Sequence, residues 1–263
     1  ETELKVLYSK PSCFLFLGKP GVGKTSLARR LAEEWKCILI NSTDILLENI
    51  ERQTEIGLKS LEILLRGEAV PDEMVLKMIE DKVNSPEVAH HGYVMDDFPC
   101  MSEDLLSIQD QLELIKSWKL KPDFVINLRI PEKDIERRRL NQKTDPFTSL
   151  IYTKEAYAPE KPIPHPPAEK TDAEKGDETV DEGADDVEED ESSMTVDEDR
   201  ISEAPHDVIR RLVRRSEDMP QQVEEHLAKY RNNILRCLED YMGDHDQQYL
   251  LELDGNLTTN TLF

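Results

Sequence analysis

Long apolar runs, clustered cysteines and positive charge are all scarce in this chain of 263 residues. No stretch approaches the roughly 18 apolar residues that a membrane-spanning helix needs, and no signal-peptide pattern is present. Cys13, Cys37, Cys100 and Cys237 lie far apart, with no Cys-x-x-Cys pair and no histidine at metal-ligand spacing. Reduced thiols in a cytoplasmic compartment are the expectation, with the nucleus left open. His90-His91 has no third ligand nearby and reads as a solvated pair before a strand. Lys and Arg number 33 against 56 Asp and Glu, for a net charge of −23. That charge is unevenly placed, because Glu169–Glu203 holds 17 acidic and 3 basic residues. The remainder is still acidic, which disfavours non-specific nucleic-acid binding by repelling phosphates. Neither a nucleic acid nor a membrane is therefore an expected partner.

What is present is concentrated near the amino end. Gly18-Lys19-Pro20-Gly21-Val22-Gly23-Lys24-Thr25 matches G-x-x-x-x-G-K-[ST], the phosphate-binding loop. The apolar run Cys13–Leu17 precedes it as a buried strand, and Ser26–Trp35 follows as a helix with Leu27, Ala28, Leu31, Ala32 and Trp35 on one face. Gly21 and Gly23 let the main chain curl close around a polyphosphate, to which the helix amino end adds unpaired N–H donors. Lys24 would reach the β- and γ-phosphates, and the Thr25 or Ser26 hydroxyl would help to hold magnesium. Binding of a nucleoside triphosphate is the expectation.

The rest of the chain supplies a frame for that loop. Apolar runs at Cys13–Leu17, Cys37–Ile40, Tyr93–Met95, Phe124–Ile130 and Tyr249–Leu253 read as strands. Helical patterns separate them, the clearest from Val223 to Met242, with Val223, Leu227, Tyr230, Ile234, Leu238 and Tyr241 at spacings of three and four. The alternation predicts an α/β fold: a five-stranded parallel sheet covered by helices, with ligands at the carboxyl ends of the strands. The core comprises 1–40, 71–140 and 206–263. Two inserts interrupt it, a helical segment at 41–70 and a polar, then Pro-rich, then acidic segment at 141–205. The acidic tract has almost no aromatic or branched apolar residue, so it is expected to be disordered. A solvated insertion and a partner-docking or phosphorylation segment around Thr195-Val196-Asp197-Glu198 both suit it. Direct contact with ATP does not, because carboxylates and phosphates repel.

Asp96-Asp97-Phe98-Pro99 ends the third strand run. An Asp at the tip of an apolar strand beside a phosphate loop suits a second anchor for magnesium, so Asp96 is the metal candidate. Asp97 is expected to contribute mainly its backbone.

These motifs, with Ser42-Thr43-Asp44, Gly67-Glu68-Ala69-Val70-Pro71-Asp72-Glu73, Gly92–Pro99, Lys121–Leu128, Arg215-Ser216-Glu217-Asp218 and Leu253-Asp254-Gly255, resemble in order and kind the adenylate kinases. The resemblance spans nearly the whole chain apart from the acidic tract, and is strongest to a kinase domain of a large multidomain member. Glu1 in place of a starting Met and the end at Thr261-Leu262-Phe263 fit a segment of a longer protein. The resemblance implies a nucleoside monophosphate kinase that passes the γ-phosphoryl of ATP to AMP, with CMP or deoxy forms left open, and with Mg2+ as cofactor. It makes 41–70 the monophosphate-binding lobe and 141–205 the lid. Gly18, Gly21, Val22, Gly23, Lys24, Thr25 and Ser26 would hold ATP phosphates, Arg138 would lie against its adenine, and Leu257 would approach it by its backbone. Ser42, the backbone of Glu68, Ala69 and Val70, Asp97 and Phe98 would meet the monophosphate. Arg215 would bridge the transferring phosphates, with Lys24 and Arg138 completing the catalytic set.

The departures from the family pattern are equally specific. Arginines of the family fall on Leu47, Cys100, Gln142 and His226 here, and its base-reading glutamine on about Asp104. Each lost guanidinium removes a charged hydrogen bond worth about 1.5–3 kcal/mol. Arg52, Arg66, Arg137 and Arg139 are the neighbouring cations available to substitute. A nucleotide-binding regulatory module with little turnover is therefore the competing expectation.

Overall fold

A computed structural model of the chain describes residues 10–148, 150–158, 204–257 and 259–262. Its centre is β1 (Cys13–Gly18), whose first five residues are all buried. The burial follows from position, since β1 pairs in parallel on both sides. It meets β3 (Tyr93–Met95) with Phe14 opposite Val94, and β4 (Phe124–Arg129) with Phe14 opposite Phe124. Beyond them lie β2 (Ile38–Ile40) and a last strand at Leu250–Asp254, giving five parallel strands with β1 in the middle. This is the α/β architecture of the sequence reading. The strand bounds differ from it by a residue at some ends, where the outermost apolar residue lacks a ladder partner.

Strand alternation sends β1 into two cores. Cys13, Leu15 and Leu17 join Ile40, Met78, Tyr93, Ile115 and Val125 on one face. Phe14 and Phe16 join Val22, Leu27, Ala28, Ile126 and Ile135 on the other. The helices that close these cores are α1 (Lys24–Trp35), α2 (Ser42–Glu51), α3 (Glu55–Leu65), α4 (Asp72–Val83), α5 (Pro86–His91), α6 (Ile108–Ser117) and α7 (Glu132–Leu140). Trp35, expected on the buried face of α1, is 53% exposed and meets Phe14 only edge-on, with ring centroids 5.3 Å apart.

The late helical pattern contains a surprise. Pro220–Lys229 and Leu235–Asp244 are α-helical, but Tyr230–Ile234 between them is a π turn. Val223 and Leu227 pack into the second core, whereas Tyr230, Ile234, Leu238 and Tyr241 pack into the first. The wider turn lies where the run passes from one face to the other, a local rephasing that an i, i+3, i+4 pattern does not register.

Contacts divide the chain into two compact units, residues 1–142 with 214–263 and residues 143–213. Residues 41–70, expected as a lobe, carry α2 and α3 within the first unit. In the second, β5 (Lys143–Thr144) and β6 (Ile151–Tyr152) form an antiparallel pair, and Thr144 also bridges Val213. Buried Asp145 accepts two hydrogen bonds from Arg211, at 2.8 and 2.7 Å. The tract expected to be disordered, with Pro159–Pro167 and Thr195, lies outside the described residues.

Candidate functional site

The loop after β1 has the shape its glycines allow. Gly21 and Gly23 sit at φ +85° and +98°, where an L side chain is strained. A Cβ on Gly21 would stand 2.8 Å from Cδ of Arg139, so the loop also needs a bare residue for room. Gly23 caps α1 without any side-chain hydrogen bond, and no acidic residue occupies the first helical turn. The positive end of α1 therefore faces the loop with no acid from its own first turn, which suits an anion. Val22 anchors the loop by burying its side chain in the second core, while Gly21 and Ser26 stay exposed. The Lys24 ammonium donates to the carbonyls of Gly18 and Lys19, both at 3.1 Å. Burial lowers its pKa and Arg139 adds to this, against the opposing pull of Asp96 and Asp97.

Asp96 closes the site from the tip of β3. It is 1% exposed; Oδ2 accepts from Thr25 Oγ1 at 2.5 Å, and Oδ1 has no hydrogen-bond partner. A buried carboxylate oxygen left without a donor is costly, and it fits a hard cation that prefers oxygen ligands. Among the described residues no group of three or more His, Cys, Asp or Glu could hold a metal by itself. A cation at Asp96 would therefore draw its other ligands from a bound molecule. Asp97 follows at φ +69°, before a cis Phe98–Pro99 bond. Its carboxylate accepts from Asn41 Nδ2 at 2.6 Å. The residue as a whole is exposed, but desolvation of its carboxyl raises the pKa, and neighbouring Asp96 raises it further.

On the far side of Asp97 lies a cleft of about 250 Å³. Ser42 and Thr43 from the start of α2, Asp97-Phe98, and Asp72 from α4 border it, together with apolar Leu46, Val75, Leu76 and Ile79. Asn41 fixes the rim: its Oδ1 caps α2 through the N–H groups of Thr43 and Asp44, while its Nδ2 holds Asp97. An Asn before Ser-Thr-Asp is a readable helix start, yet its second bond to Asp97 spans 56 residues and has no sequence signal. Ser42, Asp97 and Phe98 thus come together as proposed from sequence. Glu68, Ala69 and Val70 are not among the lining residues; they follow the end of α3, and Glu68 is exposed in an ion pair with Arg66. The wall is made instead by α4, which begins at Asp72. Asp104, the residue about which the family's base-reading glutamine falls, is exposed and off the cleft. Gln111, 2% exposed, stands in the cleft wall.

The arginines sort themselves by contact. Arg138 donates to the carbonyls of Val22 and Gly255, at 3.2 and 2.9 Å, and so joins the phosphate loop to the turn that carries Leu257. Leu257 itself is 48% exposed on that turn. Arg215 donates to Asp218 at 2.6 and 3.1 Å and pairs with Glu217 at 2.8 Å, away from the cleft lining. Of the four substitute cations, Arg52, Arg66 and Arg137 are paired at the surface with Glu48, Glu68 and Asp134. Arg139 is different: 4% exposed, it donates to fully buried Asp218 at 2.8 Å and its stem abuts Gly21. Leu47, at a lost arginine position, is 51% exposed, and Cys100 lines the cleft with its thiol pKa raised by burial.

Comparison with known proteins agrees with this geometry. The family model described as adenylate kinase matches residues 16–246. Adenylate kinase 9 of Mus musculus is 36% identical over 263 residues, which is all of this chain and 14% of that protein. An adenylate kinase of Archaeoglobus fulgidus is 33% identical over 147 residues, covering 56% of this chain and 65% of its own length. One from Chloroherpeton thalassium is 30% identical over 138 residues, covering 52% and 62%. The chain therefore spans less than two thirds of each of these relatives.

Proposed function

The chain belongs to the adenylate kinase family, and from that premise we propose that it is a nucleoside monophosphate kinase, moving the γ-phosphoryl of ATP to AMP. One observation carries the reading: consecutive residues join the two sites. Asp96 bonds Thr25 of the phosphate loop, and Asp97 lines the neighbouring cleft. Adjacent Cα atoms are about 3.8 Å apart, so a triphosphate tail in the loop and an acceptor in the cleft meet at this turn.

The chemistry asked of the protein is alignment and charge. A transferring phosphoryl group spreads negative charge over its oxygens, and fixed cations and N–H groups stabilise it without reorganising. The loop and the amino end of α1 would hold the phosphates. Lys24, released from the Gly18 and Lys19 carbonyls, would follow the β- and γ-oxygens. Arg138 would keep the loop in register with the turn at Leu257. Asp96 and Thr25 would hold Mg2+ with ATP, which neutralises phosphate charge when bound. Arg215 and Arg139 lie nearest in type to the guanidinium groups such a reaction uses, and both are now engaged by Asp218. The 143–213 unit would serve as the lid, the partners would be ATP and the monophosphate, and the chain would act as one domain of a larger protein. Four free thiols suit a cytoplasmic setting.

The test is ADP formation from ATP plus AMP, read by a coupled assay, with Lys24→Ala as control. Turnover above about 1 s⁻¹ that disappears in the variant supports the reading. ATP binding without transfer to any monophosphate sinks it. One observation favours a second reading, a nucleotide-binding module with little turnover: no Lys or Arg is among the residues lining the cleft. That same assay separates the two.

A further inference from the structure

Asp218 holds two arginines, and it holds them unequally. Arg215 spends all three of its nitrogens on acids: Nε and Nη2 donate to Asp218 at 2.6 and 3.1 Å, and Nη1 pairs with Glu217 at 2.8 Å. Arg139 spends one. Its Nε donates to Asp218 at 2.8 Å, while its Nη2 stands 3.6 Å from Glu217, beyond hydrogen-bond reach. Neither Nη of Arg139 belongs to the sealed, unpartnered side-chain atoms of the described residues, so that end of the group keeps contact with solvent. The stem behind it crosses the phosphate loop. A Cβ on Gly21 would stand 2.8, 3.3 and 3.4 Å from its Cδ, Cγ and Nε, and Gly21 is itself exposed. The Arg139 charge also reaches Lys24, whose pKa it helps to lower. Two poorly hydrated cations thus share one side of the loop, and like charges so placed disfavour each other until an anion joins them.

We propose that Arg139 binds the triphosphate through its Nη groups, with Asp218 as the residue that positions it over the loop. The assignment rests on the phosphate-loop half of the kinase reading above and does not need transfer to occur. Arginine carries five N–H donors in a rigid plane. Asp218 takes the one on Nε and so fixes that plane, which leaves the Nη hydrogens as a fork for phosphate oxygens. A lysine at this place would have to choose between the acid and the phosphate, whereas a guanidinium serves both from different nitrogens. Arg215, the arginine that the motif order singles out for the phosphates, would first have to give up its bonds to Asp218 and Glu217. Arg139 gives up none. It thereby supplies beside the loop a guanidinium that the family pattern places at Gln142, from a position that the pattern does not mark.

The experiment measures calorimetric binding of inorganic tripolyphosphate and of ATP to the 263-residue chain. The decisive variant is Arg139→Gln. Its amide nitrogen falls at the same place along the side chain as the arginine Nε, so a donor to Asp218 is kept while the Nη groups and the charge are removed. Affinity for both ligands should fall by about tenfold to a hundredfold, the range of one charged hydrogen bond. Arg215→Gln makes the same cut in the arginine whose nitrogens are already spent, and should cost several-fold less. A single cooperative urea transition certifies that each variant is folded. A loss below about twofold in Arg139→Gln, the size of an ordinary surface effect, overturns the proposal. So does an equal loss in Arg139→Gln and Arg215→Gln, since that marks a general loosening of the Asp218 cluster. Should Arg139→Gln fail to fold, Arg139→Lys decides, because it keeps stem and charge. Its ammonium must choose between Asp218 and phosphate, so affinity should fall by about threefold or more, and no change overturns the proposal. If tripolyphosphate binds but no monophosphate is phosphorylated, the kinase reading fails while the affinity ratios still judge Arg139.

Discussion

Replacing Arg139 by methionine tests the reasoning about the buried ionic cluster behind the phosphate loop. The substitution keeps a stem of similar length against Gly21 and deletes the guanidinium. Asp218 is fully buried, and the Arg139 side chain is 5% exposed, so solvent offers little compensation. Removing one partner of a buried pair generally costs about 3–5 kcal/mol, because a charge is left behind. Here Asp218 keeps Arg215, bonded at 2.6 and 3.1 Å through a side chain that is 32% exposed. One charged hydrogen bond is lost, worth about 1.5–3 kcal/mol, and the residual charge stays partly neutralised. The expected loss is therefore about 2–3 kcal/mol, at or below the bottom of the range for a broken buried pair. Urea denaturation at pH 7 measures it, and Asp218→Asn supplies the other edge of a double-mutant cycle. With the charge gone, Arg139→Met should cost less, leaving a coupling of about 1–2 kcal/mol. A single-variant loss below about 0.5 kcal/mol, the ordinary range for surface changes, refutes the argument. So does a cycle with no coupling.

Three further outcomes follow from the site. Lys24→Ala should abolish ADP formation and weaken ATP binding, whereas unchanged turnover would remove the loop from the chemistry. Asp96→Asn should weaken binding of magnesium-ATP by about tenfold or more while altering metal-free ATP binding by less than about threefold, since a charge-assisted contact is lost only when the metal is present. Calorimetry with and without magnesium reads the difference, and equal losses in both would take the metal role from Asp96. Asp97 carries a pKa raised by desolvation and by Asp96, so the folded state holds its proton more tightly than the unfolded chain. Its contribution favours folding below the ordinary value of 3.8 and is lost as pH rises through the folded value. Asp97→Asn should accordingly stabilise the chain at pH 7 and lose that advantage as pH falls toward 3.8. Denaturation at both ends of that window checks the sign, and a gain that grows on acidification would contradict it.

The sequence by itself determined the parts that depend on neighbours along the chain. The phosphate loop needs glycines and a lysine at fixed offsets, and a buried parallel strand needs an unbroken apolar run. For these, local composition and physical requirement coincide, and the strands at Cys13–Leu17 and Tyr93–Met95 and the helix at Ser26–Trp35 could be read to within a residue or two of their ends. Asp96 was legible for the same reason, as an acid at the tip of an apolar strand.

Tertiary structure decided whatever depends on residues far apart. Asn41 reaches Asp97 across 56 positions, Arg139 reaches Asp218 across 79, and Ser102 reaches Asp72 across 30. No periodicity encodes such bonds, because each is fixed by how sheet and helices pack. Gln111 shows the same limit, since no motif marks the buried amide that bonds Cys100, Ser102 and Leu106. Even the π turn at Tyr230–Ile234 reports a demand made by two cores on one helix, and that demand exists only after the sheet has put them on opposite sides.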